Sequence, residues 1–438
     1  MTASVKRGSH GGGRNPRSKQ IVREPQGSYL HRLGPGIVTG AADDDPSGIG
    51  TYSQAGASVG NGLLWTAPWL LPMAFAVQEA CARLALVTGR GLAAIIRTNL
   101  PRWVLVLAVA LVSIANTFNI AADLSSMAAA LRLLVPVEQT VGVLFFVLVI
   151  ALSEILIPYH RYARVLRWLC LSLLAYVAVM FVAKVDWNEV VWHTVVPSFD
   201  PTKQTFSLLI ALAGTTISPY LFFWQAAEEL EERKAEGLAE NSTEGVTKAH
   251  IRAMRGDVAA GMITGVMIMF AIMVTAAATL NRHGITNIQS AEDAAQALRP
   301  IAGDFAGLLF LIGILGVGLL SIPVLAGSTA YALAETFGWR ESLELAPRQA
   351  RAFYAVIVAS MAVALLLNLL SIPPMYFLFL AAVLNGLSAP ILMVIVYVLA
   401  KRTNLLGRWV SPRWSRVLLM LAIISMFALP LLWLAAPK

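Results

Sequence analysis

The sequence is poor in charge and almost without cysteine. Only 13% of its 438 residues are Asp, Glu, Lys or Arg, whereas 57% are hydrophobic, and the mean hydropathy is +0.69. A soluble chain of this length needs more charge to cover its surface, so the composition predicts a polytopic membrane protein. The two cysteines, Cys81 and Cys170, lie in apolar stretches at no metal or disulfide spacing, which excludes a disulfide framework.

Histidine is also scarce, and none is expected in the middle of an apolar segment. The six histidines fall in the amino-terminal tail, in loops or at segment ends: His10, His31, His160, His193, His250 and His283. No imidazole is therefore expected at the membrane midplane as a metal ligand or proton relay. The sequence also lacks a nucleophile constellation, a phosphate loop and a zinc signature. We therefore expect neither an enzyme nor a resident cofactor.

Residues 1–33 are basic and rich in Gly, Pro and Ser. Seven Lys or Arg residues stand there against a single acid, Glu24. Such a tail can bind nucleic acid, but it directly precedes the first apolar segment and is more typical of a disordered cytoplasmic tail that sets membrane orientation. No apolar stretch comes before it, so no cleavable signal peptide is predicted. We expect membrane lipids rather than nucleic acid as its surroundings; the sequence does not indicate an oligomeric state.

About eleven apolar segments are long enough to cross a bilayer core of about 30 Å. They are predicted at residues 35–57, 63–87, 104–131, 140–158, 164–184, 204–229, 257–280, 303–335, 350–371, 374–400 and 414–435. Lys and Arg concentrate in the loops after the even-numbered segments. This alternation predicts an integral protein of the bacterial inner (plasma) membrane, with its amino terminus in the cytoplasm and its carboxyl terminus outside.

Two of these segments are interrupted near their middle. The first contains three successive aspartates before Pro46, and the sixth contains a Gly-Thr-Thr run before Pro219. Proline cannot continue helical hydrogen bonding, so both helices are predicted to break there. Segments one and six are five apart and cross in opposite directions, which is typical of an inverted-repeat transporter. We predict an all-α protein with repeats at residues 34–185 and 203–400 and an added helix at 414–435.

Asp45 is the strongest candidate ligand, because it lies directly before Pro46, where backbone carbonyls become available. Carboxylate and carbonyl oxygens suit hard divalent cations such as Mg²⁺, Ca²⁺ or Mn²⁺. Asp43 and Asp44 cannot both point at the same place as Asp45, so at least one of them is expected to face an aqueous vestibule or to pair with a cation elsewhere. The alternative is that the three acids form a solvated entry patch. Ser218 precedes Pro219 as Asp45 precedes Pro46. Its hydroxyl is a candidate ligand, or it hydrogen-bonds the carbonyl one turn back.

Asp123 lies inside the third segment. An intramembrane carboxylate is a functional candidate by default, here as a proton carrier or as an acid behind the metal site. A paired structural acid is the alternative. Glu79 and Arg83 are four residues apart on the second segment, so a local ion pair is predicted for them.

Taken together, these residues resemble the natural resistance-associated macrophage protein (Nramp) family of divalent metal transporters. Residues 34–36 (Gly-Pro-Gly) and 45–48 (Asp-Pro-Ser-Gly) are similar to the family's first helix, which carries an Asp-Pro-Gly-Asn signature. Residues 78–90 resemble the end of its second helix, Asp123 with the following leucine its acidic third-helix motif, and residues 214–219 its broken sixth helix. The resemblance covers nearly the whole chain.

The resemblance implies a leucine-transporter-type fold and alternating access around a metal ion at the midplane. By position, Asp45 would be the carboxylate ligand, and Ala42 and Thr215 would offer backbone carbonyls. The family's metal-binding asparagine is Gly48 here, and its methionine thioether is Ser218. The soft ligand that favours transition metals is therefore absent. Losing two side chains is expected to widen the site, which suits an ion that keeps several waters, as Mg²⁺ does.

Other departures affect the proton chemistry that the resemblance implies. The family's sixth-helix histidines fall on Tyr220 and Gln225, and the acid that follows its third-helix aspartate falls on Ser126. Much of the proton machinery is absent, which puts proton coupling in question. In these respects the chain is similar to the Nramp-related magnesium transporters.

Three functions remain open at this point. The first is a secondary transporter of a divalent cation, Mg²⁺ or Mn²⁺, held at Asp45. The second is a carrier of the same fold for an amino acid or organic amine, because helix ends exposed at the breaks can bind such groups. The third is a sensor that binds an ion without moving it.

Overall fold

The computed structural model describes residues 40, 43–157, 173–235, 237–239, 242–343, 345–370 and 372–437. Within these ranges the ordered elements are all helices, with no strand. The α-helices are α1 Pro46–Val59, α2 Thr66–Thr88, α3 Leu92–Asn99, α4 Arg102–Leu131, α5 Gln139–Leu156, α6 Leu174–Val182, α7 Trp187–Val195, α8 Lys203–Thr216, α9 Pro219–Ala235, α10 Lys248–Thr279, α11 Ala291–Gln296, α12 Arg299–Ala302, α13 Ala306–Phe337, α14 Arg351–Asn368, α15 Pro374–Ala400, α16 Thr403–Leu406 and α17 Arg413–Ala435.

Nine stretches among the described residues are helical, long and apolar enough to cross a membrane. They coincide with nine of the eleven predicted segments. The other two, 35–57 and 164–184, fall partly on residues outside the described ranges, where the structure shows α1 and α6. The all-α membrane architecture is therefore confirmed, whereas the count of eleven and the two repeats remain predictions. The tail at 1–33 lies outside the described residues.

Helix boundaries follow local sequence signals that hydropathy alone misses. The helix predicted from residue 257 begins at Lys248, because the Thr247 side chain accepts the His250 amide and the His250 ring accepts the Thr247 amide. This reciprocal cap satisfies two backbone groups and lets a polar first turn extend beyond the apolar region. The loops also contain short helices that were not predicted from the apolar segments, among them α3, α7 and α11.

Helix α4 is the centre of a rigid scaffold. It packs against α13, α15 and α14, and its buried amides form the polar links. Asn116 donates to the Leu325 carbonyl at 3.0 Å and to the Thr329 hydroxyl at 2.9 Å, both on α13. Asn119 and Asn385 of α15 exchange hydrogen bonds of 2.9 and 3.2 Å. Amide pairs of this kind fix the register between apolar helices.

Glycines let the helices that carry the two breaks approach their neighbours closely. A methyl group on Gly56 of α1 would overlap the Met273 carbonyl of α10. One on Gly214 of α8 would overlap the Ala382 carbonyl of α15. Backbones in such contact leave no room for a side chain, as in other membrane helix pairs with small interfacial residues.

One end of the bundle, which we call the arginine-rich end, contains a hydrogen-bond network around Glu79. This carboxylate is fully buried on α2. It accepts hydrogen bonds from Arg83, which confirms the predicted pair, from Arg255 of α10 at 2.8 Å and from Ser415 of α17 at 3.1 Å. Arg255 also lies 5.3 Å above the Trp414 ring. Three helices distant in sequence are thus joined at one carboxylate.

The Asn119–Asn385 pair yields a stability prediction. Replacing Asn385 with Leu removes the donor to the buried Oδ1 of Asn119, while Asn119 Nδ2 still donates to the Ala115 carbonyl. A buried acceptor left without its partner costs about 1–3 kcal/mol. We expect a lower melting temperature for Asn385→Leu in detergent, measured by intrinsic fluorescence. The double variant Asn119→Leu/Asn385→Leu removes both amides and should recover part of the loss. An equal melting temperature for Asn385→Leu and wild type would contradict the assignment.

The loop after α13 yields a pH prediction. Burial, followed by the charge of Glu335, raises the pKa of Glu341 to about 9, although Lys234 and Arg97 act in the opposite direction. Between the unfolded pKa and about 9, the folded protein keeps a proton on Glu341 that the unfolded chain releases. The free energy of unfolding therefore falls as pH rises through this range. Glu341→Gln should raise the melting temperature relative to wild type, and more at pH 9 than at pH 5. The control is Glu244→Gln at an exposed position. A difference in melting temperature between Glu341→Gln and wild type that does not change with pH would contradict the prediction.

Candidate metal site at the two helix breaks

The first break lies between Asp44 and Pro46. Helix α1 begins at Pro46, whose missing amide hydrogen costs nothing at a first helical position. Asp45 caps this helix: its Oδ1 accepts the Gly48 amide at 2.9 Å and the Ser47 hydroxyl at 2.6 Å. The side chain of Asp45 is only 1% exposed. The positive end of the helix dipole therefore faces the carboxylate and stabilises its charge.

The second break lies between α8, which ends at Thr216, and α9, which begins at Pro219. The Ser218 hydroxyl donates to the carbonyls of Gly214 at 2.9 Å and Thr215 at 2.7 Å. One of the two predictions for Ser218, a hydrogen bond to a carbonyl of the preceding turn, is therefore confirmed. Its oxygen lone pairs and the second lone pair of the Thr215 carbonyl are still available to a ligand.

The fold brings the two breaks together. Helix α1 packs against α8, and the Tyr220 hydroxyl, at the start of α9, hydrogen-bonds the Asp45 carboxylate. Asp123 approaches from α4: it accepts the Ser321 hydroxyl of α13 at 3.1 Å, lies beside the Ser47 amide and interacts electrostatically with Asp45. Asp123 is fully buried, so it stands directly behind the first break.

Asp43 and Asp44 are also inside the protein, each 2% exposed. A methyl group on Gly265 of α10 would lie 3.5 Å from Asp43 Oδ2 and 3.8 Å from Asp44 Oδ2, so both carboxylates face this helix. Their Oδ1 atoms have no hydrogen-bond partner among the described residues. A solvated patch therefore does not describe these two acids in this conformation. In the described part of the chain, no ion pair involves them or Asp45.

The expected widening of the site is not found at position 48. A methyl group on Gly48 would lie 3.2 Å from Tyr52 Cε2 and 3.4 Å from the Tyr52 hydroxyl oxygen. Tyr52 is one helical turn further on and shares the face of Gly48, so its ring fills the space beside it. Gly48 itself contributes an amide to Asp45 rather than a side-chain ligand. The assignment of Gly48 to the metal site stays a prediction.

Three other residues considered in the sequence analysis are Ala42, Ser126 and Gln225. Ala42 lies outside the described residues. Ser126 donates its hydroxyl to the Asp123 carbonyl at 2.8 Å. Gln225 is buried, and neither polar atom of its side chain has a partner among the described residues. None of these positions carries a titratable side chain.

Sequence reasoning missed Tyr52 as a site residue, and it missed Met269. The Met269 sulfur of α10 lies 3.4 Å from the Thr216 hydroxyl. The four-residue spacing of Gly48 and Tyr52 in one helix is a sequence signal that could have predicted their contact. No such signal exists for Met269, because it lies far from Thr216 in the sequence. Within the described ranges, no three His, Cys, Asp or Glu side chains converge as a metal group would require. A metal ion at Asp45 would therefore need carbonyl, hydroxyl or water oxygens as co-ligands.

A cavity of about 710 Å³ opens at the end of the bundle opposite the arginine-rich end. We call it the outer cavity. Its lining carries no charged residue: it consists of Gly50, Gln54, Ser58, Gln204, Ser207, Leu208, Asn287, Ile288, Gln289, Pro373, Met375, Tyr376 and Phe379. The Gln54 side chain links α1 to the loop at residues 286–288 at the edge of the cavity. It donates to the Thr286 carbonyl at 3.1 Å and accepts a hydrogen bond from the Ile288 amide at 2.9 Å. The cavity reaches Gly50, one turn beyond Asp45.

Two kinds of comparison with known structures and sequences bear on this arrangement. The crystallised manganese transporter of Eremococcus coleocola superposes with a TM-score of 0.72 at 18% identity, over 94% of this chain and 90% of that one. Mhp1, a nucleobase-cation-symport-1 family transporter in a closed conformation, gives 0.55 at 14% identity, over 91% and 92%. These likenesses establish the leucine-transporter-type fold.

Sequence relatives point the same way. The divalent metal cation transporter MntH of Klebsiella pneumoniae (strain 342) is 26% identical over 396 residues, 89% of this chain and 90% of its own. MntH of Caldanaerobacter subterraneus subsp. tengcongensis is 26% identical over 317 residues, 69% of this chain and 71% of its own. A family model described as natural resistance-associated macrophage protein-like matches residues 36–436. Because that match spans nearly the whole chain, the protein belongs to the natural resistance-associated macrophage protein-like (Nramp) family.

Proposed function

We propose that the protein is a secondary transporter that carries a divalent metal cation, Mg²⁺ or Mn²⁺, across the membrane by alternating access. The observation that carries the proposal is the buried carboxylate of Asp45 at the junction of two broken helices. Such an acid is costly in the interior of a membrane protein unless a cation compensates it. The relatives named as divalent metal cation transporters support the same substrate class.

Asp45 supplies the charge in this proposal, and neutral oxygens complete the shell. At the second break, the Thr215 carbonyl and the Ser218 hydroxyl are the protein groups that supply oxygen ligands to the metal ion. Water supplies the remaining positions, because Mg²⁺ sheds its hydration reluctantly and is commonly held by one or two carboxylates. Asp123 acts from behind the first break: its carboxyl group interacts electrostatically with Asp45, and its bond to Ser321 ties the site to the scaffold.

The two ends of the bundle suit the two gates of an alternating-access cycle. The outer cavity reaches Gly50, five residues after Asp45, through an uncharged lining, while the Glu79 network joins α2, α10 and α17 at the arginine-rich end. We assign the arginine-rich end to the cytoplasm on the positive-inside rule. In this orientation the outer cavity opens towards the outside, the amino terminus is cytoplasmic and the carboxyl terminus is outside.

A liposome flux experiment tests the proposal. Purified protein is reconstituted, and uptake of Mg²⁺ and Mn²⁺ is followed with entrapped fluorescent indicators. Asp45→Asn keeps the shape of the side chain but removes its charge, so uptake should fall to the level of protein-free liposomes. The matched control is Asp304→Asn, the same change at an exposed position, which should retain wild-type uptake. Equal uptake by Asp45→Asn and wild type would remove Asp45 from the site.

The same preparation separates the competing functions. A thermal shift with Mg²⁺ or Mn²⁺ that disappears in Asp45→Asn is expected for a cation site. Stabilisation by an organic amine and by no divalent metal would favour the organic carrier. Metal stabilisation without saturable flux would favour the sensor.

Transport is expected to be independent of a proton gradient. The histidine positions of the family hold Tyr220 and Gln225, and the Ser126 hydroxyl is bonded to the Asp123 carbonyl. None of these three side chains exchanges a proton near neutral pH. The initial rate of Mn²⁺ uptake should be the same with equal pH on both sides and with an inward proton gradient. Acidification of the liposome interior in step with metal uptake would show coupling.

A further inference from the structure

Two buried tyrosines cross between the helix breaks in opposite directions. Tyr52 belongs to α1 and faces the side chains of Thr215 and Thr216 at the end of α8. Tyr220 belongs to α9 and hydrogen-bonds Asp45 at the start of α1. Their exposures are 1% and 0%. Each broken helix therefore sends one phenol group to the break in the other.

The position of Tyr52 determines what replaces the side chain missing at Gly48. The ring edge lies 3.2 Å from where a Cβ of residue 48 would be, and the hydroxyl oxygen lies 3.4 Å from the same point. A larger residue at 48 would have to displace this ring. The hydroxyl of Tyr52 thus stands in the space where a side chain at position 48 would extend.

The second tyrosine is fixed by its backbone as well as by its hydroxyl. The Ser328 hydroxyl of α13 donates to the Tyr220 carbonyl at 2.9 Å. The start of α9 is therefore held against the scaffold while the phenol reaches Asp45. Tyr220 also interacts electrostatically with Asp45, Asp43, Asp123 and Tyr52, so the two phenols and these three acids lie in one polar cluster.

Phenol hydroxyls are neutral oxygen groups that both donate and accept hydrogen bonds. They are weak ligands beside a carboxylate, but they bind water well, and a bridging water is nearly as favourable as a direct contact. Hard cations such as Mg²⁺ keep several waters in protein sites. A soft cation favours thioether or thiolate ligands and gains little from groups that hold its waters in place.

We propose that Tyr52 and Tyr220 determine the ion specificity of this site by binding water molecules of a partly hydrated cation held at Asp45. This inference rests on the proposed function and assigns to two specific hydroxyls the preference for hard over soft divalent ions. Tyr52 contributes from beside Gly48, where its ring occupies the space, and Tyr220 from the side of the second break.

The test compares Michaelis constants for Mg²⁺, Mn²⁺ and Cd²⁺ uptake into liposomes by wild type, Tyr52→Phe and Tyr220→Phe. Each variant keeps the ring and removes one hydroxyl. The KM for Mg²⁺ should rise about three- to tenfold, as expected for the loss of one hydrogen bond of ordinary net strength, while the KM for Cd²⁺ stays unchanged. The Mg²⁺/Cd²⁺ ratio of KM values is the readout, because a purely structural defect would change all three metals together.

Tyr354→Phe is the matched control, since its hydroxyl donates to the Leu345 carbonyl at 3.0 Å, near the arginine-rich end. It should leave the ratio unchanged. If Tyr52→Phe does not purify as a monodisperse protein, Tyr220→Phe carries the test alone. An unchanged ratio in the site variants, or an equal KM increase for all three metals, overturns the inference. If wild type carries none of the three metals, the proposed function fails instead.

Discussion

The structure depends on the hydrogen bonding of one carboxylate at an open helix end. Asp45 accepts the Gly48 amide and the Ser47 hydroxyl of its own helix and is reached by Tyr220 from the second break. These donors and the helix dipole stabilise a negative charge that would otherwise be costly at this depth. Because the same atoms cap α1 and hold the charge, the break in the backbone and the candidate ion site are one feature.

The rest of the fold holds this feature in place. Helix α4 is tied to α13 and α15 through buried asparagines, and Asp123 extends from the same helix to the first break. Close backbone contacts at Gly56 and Gly214 hold the broken helices against α10 and α15. The site is therefore positioned by a packed scaffold rather than by loops, which is what precise geometry at a binding site requires.

Features that depend on neighbours in sequence were predictable. Pro46 and Pro219 marked both breaks, and the residue before each proline lies at the opened backbone, as expected from the missing amide hydrogen. The Glu79–Arg83 pair followed from its spacing of four residues. The long apolar helices were located within several residues, since hydropathy is a property of a local window.

Features that depend on contacts between distant segments were not predictable in this way. Nothing local indicates that Glu79 would also bind Arg255 and Ser415, or that Asp43 and Asp44 would face a glycine of α10. The ring of Tyr52 beside Gly48 is an intermediate case: helical spacing allows the contact, but side-chain direction decides it. Small residues in a motif therefore do not by themselves imply open space.

Locating a bound ion tests the central claim most directly. Crystals of the protein grown with Mn²⁺ are measured for anomalous scattering at the manganese edge. The account predicts a peak at a coordination distance of about 2.0–2.6 Å from the Asp45 carboxylate, between the two helix breaks, and its loss in Asp45→Asn. A peak at Asp43 and Asp44 but not at Asp45, or one that persists in Asp45→Asn, would contradict it.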